Sequence, residues 1–150
     1  MTAIFPGSFD PFTIGHADIV RRAMPLFDHI VIAIGQNANK VPCFPLEQRL
    51  ESIRSNFANE SKIRVISYNG LTIDAARECG ADYIIRGVRS VADYEYERLM
   101  AEANRQLSLE TSQCPLETIL LYTDPSLAHI SSSLLRDLYR HGKDISDYIP

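Results

Sequence analysis

The chain has 150 residues, of which 45% are hydrophobic and 23% are charged, as is ordinary for one globular domain. Its formal net charge of −4 disfavours a long nucleic acid as partner, and its 3 cysteines, without a C-x-x-C pair, fit neither a disulfide framework nor a zinc site. No apolar run reaches the roughly 20 residues of a membrane helix, and the first residues lack the pattern of a signal peptide. We therefore expect a cytoplasmic protein with no nucleic-acid or membrane partner.

Short apolar runs alternate with helical patterns along the chain. Strands are predicted at residues 3–5, 30–34, 63–67, 83–85 and 118–122, and helices at residues 16–24, 45–57, 71–79, 90–107 and 131–140. This order predicts an α/β fold, a doubly wound, Rossmann-like five-stranded parallel sheet with helices on both faces. Such sheets bind ligands beyond the carboxyl ends of their strands, so the segments that follow the strands are the place to look for a site.

The loop after the first strand, residues 6–16, leads directly into a helix with a histidine in its first turn. Gly15 would let a ligand approach the backbone, and the N–H groups at a helix start attract anions. His16 could therefore serve an anion site. Taken alone, the pattern is more typical of a capping or packed histidine.

Polar side chains follow three more strands. Lys40 lies in a polar loop, Arg86 and Arg89 flank a glycine, and residues 131–133 are three serines that open a helix. Each has an ordinary alternative, namely a solvated lysine, a surface arginine pair and a serine cap. Their joint arrival at one sheet edge, in an acidic chain, favours an anionic nucleotide as ligand.

Motifs of other nucleotide and metal enzymes are absent from the sequence. There is no G-x-x-x-x-G-K-[ST] loop, no G-x-G-x-x-G fingerprint and no G-x-S-x-G elbow. The 4 histidines show no metal-ligand spacing. We therefore predict no metal ligand from the protein.

At this point the residues match a known family: the chain resembles the phosphopantetheine adenylyltransferases, within the T/H-x-G-H nucleotidyltransferase superfamily. The T-x-G-H signature, Thr13 to His16, marks only the superfamily, whereas R-G-V-R and A-D-Y-E-Y-E are much narrower. The matching segments run almost from end to end and are residues 6–16, Lys40, residues 86–89, residues 92–97, residues 104–105 and residues 130–133. The resemblance implies a single nucleotidyltransferase domain over residues 1–150.

The resemblance also implies roles for individual residues. Those predicted to bind the acceptor are Ser8, Lys40, Thr72 and Arg86. Those predicted to bind ATP are Ser8, Phe9, His16, Gly87, Val88, Arg89, Glu97, Leu127, Ala128, His129, Ile130, Ser131, Ser132 and Ser133. His16, Lys40 and Arg89 are expected to take part in catalysis, and the composition alone would also allow Glu97 to be a solvated helix carboxylate.

The reaction implied by the resemblance is transfer of the adenylyl group of ATP to 4'-phosphopantetheine, giving dephospho-coenzyme A and pyrophosphate. We expect in-line attack on the α-phosphorus, with His16 counted among the cations that neutralise charge there. Mg²⁺ is expected to arrive with ATP. A homohexamer and feedback inhibition by coenzyme A are further implications. The alternatives are another nucleotidyltransferase of this superfamily, for example one that uses nicotinamide mononucleotide or glycerol 3-phosphate, and a non-catalytic nucleotide-sensing module.

Overall fold

The computed structural model describes residues 1–111 and 114–150. In these ranges the strands are β1 (Thr2–Gly7), β2 (His29–Gln36), β3 (Ile63–Asn69), β4 (Tyr83–Val88) and β5 (Glu117–Tyr122). The helices are α1 (Ile14–Ala23), α2 (Leu46–Asn56), α3 (Thr72–Glu78), α4 (Val91–Thr111) and α5 (Ser132–Arg140). Each predicted element is present, with ends that differ by a few residues. Of the helices within the described ranges, none has the length and apolar character needed to cross a lipid bilayer.

The five strands form one parallel sheet in the order β3-β2-β1-β4-β5. The strand order reverses between β1 and β4, which are the two strands that flank the switch point of a doubly wound sheet. β1 pairs with β2 from Thr2 to Gly7, but it pairs with β4 only through Ala3 and Ile4. The two central strands therefore separate towards their carboxyl ends, and a crevice opens there.

Helices cover both faces of the sheet, because neighbouring residues of a strand point to opposite sides. Phe5 and Ile32 pack in one buried cluster with residues of α1 and α2. Ile4 and Val31 pack in a second cluster with residues of α3 and, from α4, Leu107. This arrangement confirms the predicted fold class.

Candidate active site

Three neighbouring cavities lie at the edge of the sheet formed by the carboxyl ends of its strands. The first cavity, of about 290 Å³, lies between the ends of β1 and β4 and the first turns of α1 and α5. The second, of about 360 Å³, is lined by residues of α3 and α4, and the third, of about 710 Å³, by residues of α2 and α5. Ser8 lines all three.

Most of the predicted site residues line one of these cavities. Those at the first cavity are Ser8, Phe9, His16, Arg86, Gly87, Arg89, Glu97, Ile130, Ser131, Ser132 and Ser133. Thr72 lines the second cavity and accepts or donates a hydrogen bond of 2.9 Å with the Tyr68 hydroxyl. Lys40 lines the third. Val88 and the segment 127–129 are not among the residues that line the first cavity.

The loop after β1 brings an aromatic ring beneath the first cavity. Phe9 has a left-handed backbone conformation (φ 44°) and is almost completely buried. A Cβ atom at Gly7 would lie 2.7 Å from the Phe9 ring, closer than atoms can approach. Glycine is therefore required at position 7 while Phe9 holds this place.

His16 belongs to a capping box at the start of α1. The Thr13 hydroxyl accepts from the His16 backbone N–H at 3.3 Å, and the Thr13 backbone N–H donates to His16 Nδ1 at 3.0 Å. A backbone N–H can only donate, so Nδ1 is unprotonated and the neutral imidazole carries its proton on Nε2. In the described part of the chain no protein acceptor is recorded for this Nε2–H. His16 thus caps α1 through Nδ1, as one alternative expected, and its Nε2–H remains able to donate to a ligand.

Aromatic rings enclose the His16 imidazole on the protein side. The ring centroids of Phe5, Phe9 and Phe12 lie 6.3, 5.1 and 5.4 Å from that of His16. Burial, together with the positive charges of Arg89 and Arg86, lowers the pKa of His16 from 6.5 to about 3. The prediction that His16 is one of the cations is therefore wrong, because at neutral pH it is an uncharged hydrogen-bond donor.

Arg86 is held in place by a carboxylate. Its Nε and Nη2 donate to the two oxygens of Glu97 at 2.7 and 2.6 Å, and its Nη1 donates to the Pro6 carbonyl. Glu97 is only 7% exposed, so its charge depends on this bidentate partner. The solvated alternative for Glu97 is excluded. Its predicted contact with the nucleotide is untested.

Arg89 is attached to the start of α4. Its Nε donates to Asp93 at 3.0 Å, and its Nη1 donates to the Ile130 carbonyl at 3.3 Å. The latter bond ties the end of β4 to the segment that precedes α5. Arg89 thus stands between two elements that border the first cavity.

The three serines before and in α5 have different hydrogen bonds. Ser131 is the N-cap and accepts from the Leu134 N–H at 3.1 Å, as the capping alternative expects. The Ser132 hydroxyl donates to the Pro11 carbonyl at 2.8 Å, and the Ser133 hydroxyl accepts from Arg136 at 3.1 Å. The backbone N–H groups of Ser132 and Ser133, in the first helical turn, have no intrahelical acceptor and can meet an anion.

Sequence reasoning missed three residues that build this edge. Arg136 lines the first and third cavities and donates to the Asp10 carbonyl at 2.8 Å. Asp10 accepts the N–H groups of Cys43 and Phe44, each at 2.8 Å. Arg136 lies one helical turn after Ser132, and this spacing could have predicted it as a site residue. No local pattern in the sequence predicts the distant partners of Asp10.

Arg49 is the third of these residues. It is 7% exposed and donates to the carbonyls of Ser8 and Phe44 at 2.6 and 3.0 Å. It thereby joins the loops after β1 and β2.

Solved structures with low sequence identity share this fold. A bifunctional NMN adenylyltransferase/ADP ribose pyrophosphatase from Francisella tularensis matches with a TM-score of 0.72 and 16% identity, over 99% of this chain and 44% of that one. A lipopolysaccharide core biosynthesis protein from Thermoplasma volcanium matches with a TM-score of 0.60 and 18% identity, over 83% of this chain and 98% of that one. Both likenesses concern the fold alone.

Sequence relatives are much closer. The cytidylyltransferase-like family model matches residues 4–138. The phosphopantetheine adenylyltransferase of Flavobacterium psychrophilum is 51% identical over 99% of this chain and 94% of its own length, and that of Bacteroides fragilis is 49% identical over 99% and 95%. With this identity over almost its whole length, the chain belongs to the phosphopantetheine adenylyltransferase family, within the cytidylyltransferase-like proteins.

Proposed function

We propose that this chain transfers the adenylyl group of ATP to 4'-phosphopantetheine, giving dephospho-coenzyme A and pyrophosphate. The observation that carries the chemistry is the neutral His16 imidazole, whose Nε2–H is left to donate at a cavity that Arg86 and Arg89 also line. The acceptor is suggested by the names of relatives that are 49–51% identical.

In the proposed reaction an oxygen of the acceptor's phosphate attacks the α-phosphorus of ATP. A new P–O bond forms, the bond between the α-phosphorus and the bridging oxygen breaks, and pyrophosphate leaves with the electron pair. A phosphate monoester has a second pKa of about 6, so the nucleophile is already an anion at neutral pH. No general base is needed, and His16 is not available as one, because Nδ1 accepts from Thr13 and Nε2 carries the proton.

The protein's part in this reaction is alignment and charge stabilisation. We place ATP in the first cavity, where His16 Nε2–H donates to the reacting phosphate and the start of α5 receives the remaining phosphates. We place the pantetheine arm in the second cavity, beside Thr72. Arg86 and Ser8 line both cavities and would meet the two reacting phosphates, with Glu97 orienting Arg86.

The remaining predicted contacts are part of the same proposal. Lys40 would act on the acceptor from the third cavity. Gly87, Val88 and the segment 127–129 would border the nucleotide, and of these Gly87 lines the first cavity. These assignments keep the roles that the family resemblance implies.

We propose that Mg²⁺ is carried by the triphosphate. The carboxylates at the first cavity, Asp93 and Glu97, are both paired with arginines. Within residues 1–111 and 114–150 there is no group of three or more side chains of the kinds that ligate metals. Phosphate oxygens and water, which Mg²⁺ accepts readily, would then supply its ligands and let it neutralise the polyphosphate.

Assembly, regulation and location stay predictions. Large apolar side chains are exposed on α4, including Val91, Tyr96 and Leu99 at 80%, 60% and 55%, and such a surface supports a homo-oligomer, for which the resemblance implies a homohexamer. Inhibition by coenzyme A rests on the family resemblance, and a cytoplasmic location rests on the sequence.

The first experiment measures pyrophosphate release from ATP and Mg²⁺ with 4'-phosphopantetheine, with nicotinamide mononucleotide and without an acceptor. Release only with 4'-phosphopantetheine is the expected result. Release of pyrophosphate only with nicotinamide mononucleotide would support adenylyl transfer but refute 4'-phosphopantetheine as the acceptor. If ATP binds but no pyrophosphate is released with any acceptor, the chain is a nucleotide sensor and not an enzyme.

A further inference from the structure

Positively charged side chains converge on the third cavity. Its lining includes the cations Lys40, Arg49, Arg136 and Arg140, and Asp10 is the one carboxylate among the described residues that line it. In the first two cavities, by contrast, Arg86 is paired with Glu97 and Arg89 with Asp93, and Arg136 is the one arginine of their lining without such a pair in the described ranges. The third cavity differs from them in its excess of positive charge.

These four cations have no carboxylate partner in the parts of the chain that the structure describes. Arg49 and Arg136 use some of their N–H groups on carbonyl oxygens, which carry no net charge. Both oxygens of Asp10 accept backbone N–H groups, and it forms no ion pair. In a chain of net charge −4, such a concentration of cations in one concavity creates a local positive potential that attracts an anion.

The third cavity is adjacent to the proposed phosphate-binding end of the first. Ser8 and Arg136 line both cavities. Arg136 and Arg140 are four residues apart on α5, so they lie on the same helix face and extend from the first cavity into the third. An anion held at the start of α5 therefore has two arginines, one helical turn apart, along its way into the third cavity.

We propose that the third cavity is a second anion site, which receives inorganic pyrophosphate as it leaves the first cavity. This inference rests on the proposed function, because adenylyl transfer is the source of the pyrophosphate. Pyrophosphate fits the lining because it is compact, multiply charged and without an apolar part, and the cavity adds the amides of Gln36, Asn37 and Asn69 to the cations. No bond changes in this step; the product moves between two sites.

The test replaces Arg140 by glutamine. Arg140 is exposed, lines only the third of the three cavities and has no ion-pair partner in the described ranges, so its removal should leave the fold intact. The matched control is Arg54→Gln, the same charge change at an exposed position of α2 outside the three cavities. Thermal denaturation of both variants establishes that each is folded.

Binding of inorganic pyrophosphate is measured by titration calorimetry with wild type and both variants. We expect Arg140→Gln to weaken pyrophosphate about 3- to 10-fold, the effect of one partly solvated charge, and Arg54→Gln to leave the affinity within about 2-fold. In steady-state turnover, Arg140→Gln should weaken product inhibition by pyrophosphate and leave the KM values for ATP and the acceptor unchanged. Equal pyrophosphate affinities in the two variants would overturn the proposal.

A rise in the KM for 4'-phosphopantetheine with Arg140→Gln and no change in pyrophosphate affinity would also overturn it, and would assign Arg140, like Lys40, to the acceptor. The calorimetric measurement needs no turnover. A chain that releases no pyrophosphate with any acceptor but still loses pyrophosphate affinity on Arg140→Gln would refute the proposed function and leave the anion site standing. The two failures are therefore distinguishable.

Discussion

Substitution of His16 by asparagine separates its two roles. The asparagine oxygen lies at about the position of Nδ1, so it can still accept the Thr13 N–H that caps α1. Asparagine has no atom at the position of Nε2, so the donor to the reacting phosphate is lost. The variant should therefore keep the fold and lose the chemistry.

The size of the loss follows from the charge of the imidazole. Loss of one preorganised donor lowers kcat by about 10²–10³-fold, or about 2.7–4 kcal/mol. Because Nδ1 accepts from the Thr13 N–H, the imidazole that donates through Nε2 is uncharged. Neutral hydrogen bonds are weaker than charge-assisted ones, so we expect the lower end of the range, a decrease of about 100-fold.

The assay is pyrophosphate release at saturating ATP and 4'-phosphopantetheine, combined with thermal denaturation. The control is His16→Ala, which should lose a similar share of turnover and, in addition, about 1 kcal/mol of stability because the Thr13 N–H loses its acceptor. If His16→Asn turns over within a few-fold of wild type, Nε2 does not donate in the transition state, and the mechanism proposed above is wrong.

Three further predictions concern stability and the acceptor. The pKa of His16 is about 3 in the folded chain and ordinarily 6.5, so between these pH values the unfolded chain binds one proton more. The free energy of unfolding, measured in urea, should therefore fall as the pH falls through this window, by up to about 1.4 kcal/mol per pH unit. Equal slopes of unfolding free energy against pH in wild type and His16→Asn would contradict this. Gly7→Ala should cost about 1–3 kcal/mol of stability and lower turnover, because its Cβ would lie 2.7 Å from the Phe9 ring. An unchanged melting temperature would refute this clash. Arg86→Gln should destabilise the protein by about 3–5 kcal/mol, because it leaves Glu97 buried and unpaired. The double variant Arg86→Gln with Glu97→Gln should regain stability but keep a raised KM for the acceptor. A selective loss of ATP affinity would contradict the role of Arg86.

Much of the fold was predictable because its signals are local. The apolar run at residues 30–34 is typical of a strand covered on both faces, and β2 is buried along this run. Gly80 and Gly142 follow the ends of α3 and α5 and have positive φ angles, the conformation in which a glycine commonly ends a helix. The order of strands and helices predicts the sheet edge at which the site residues meet.

The pairing of the site residues was not predictable from the same signals. Glu97 and Arg86 are eleven residues apart, and their bidentate contact depends on how α4 lies against β4. Arg136 and Asp10 are 126 residues apart, and no local pattern joins them. Such contacts are made only when the whole sheet and its helices have assembled.

By itself, the sequence determined that Ser8, His16, Arg86, Arg89 and residues 131–133 reach the carboxyl edge of the sheet. Through T-x-G-H, R-G-V-R and A-D-Y-E-Y-E it also determined which family the chain resembles. The tertiary structure alone decided the charge of His16, because its burial and the nearness of Arg86 and Arg89, which lower its pKa, depend on how β4 lies beside β1 and the start of α1. It also decided that Lys40 faces a cavity with three arginines from other elements. The sequence specifies the type of each residue, but the burial of a side chain and the charges around it depend on the folded structure.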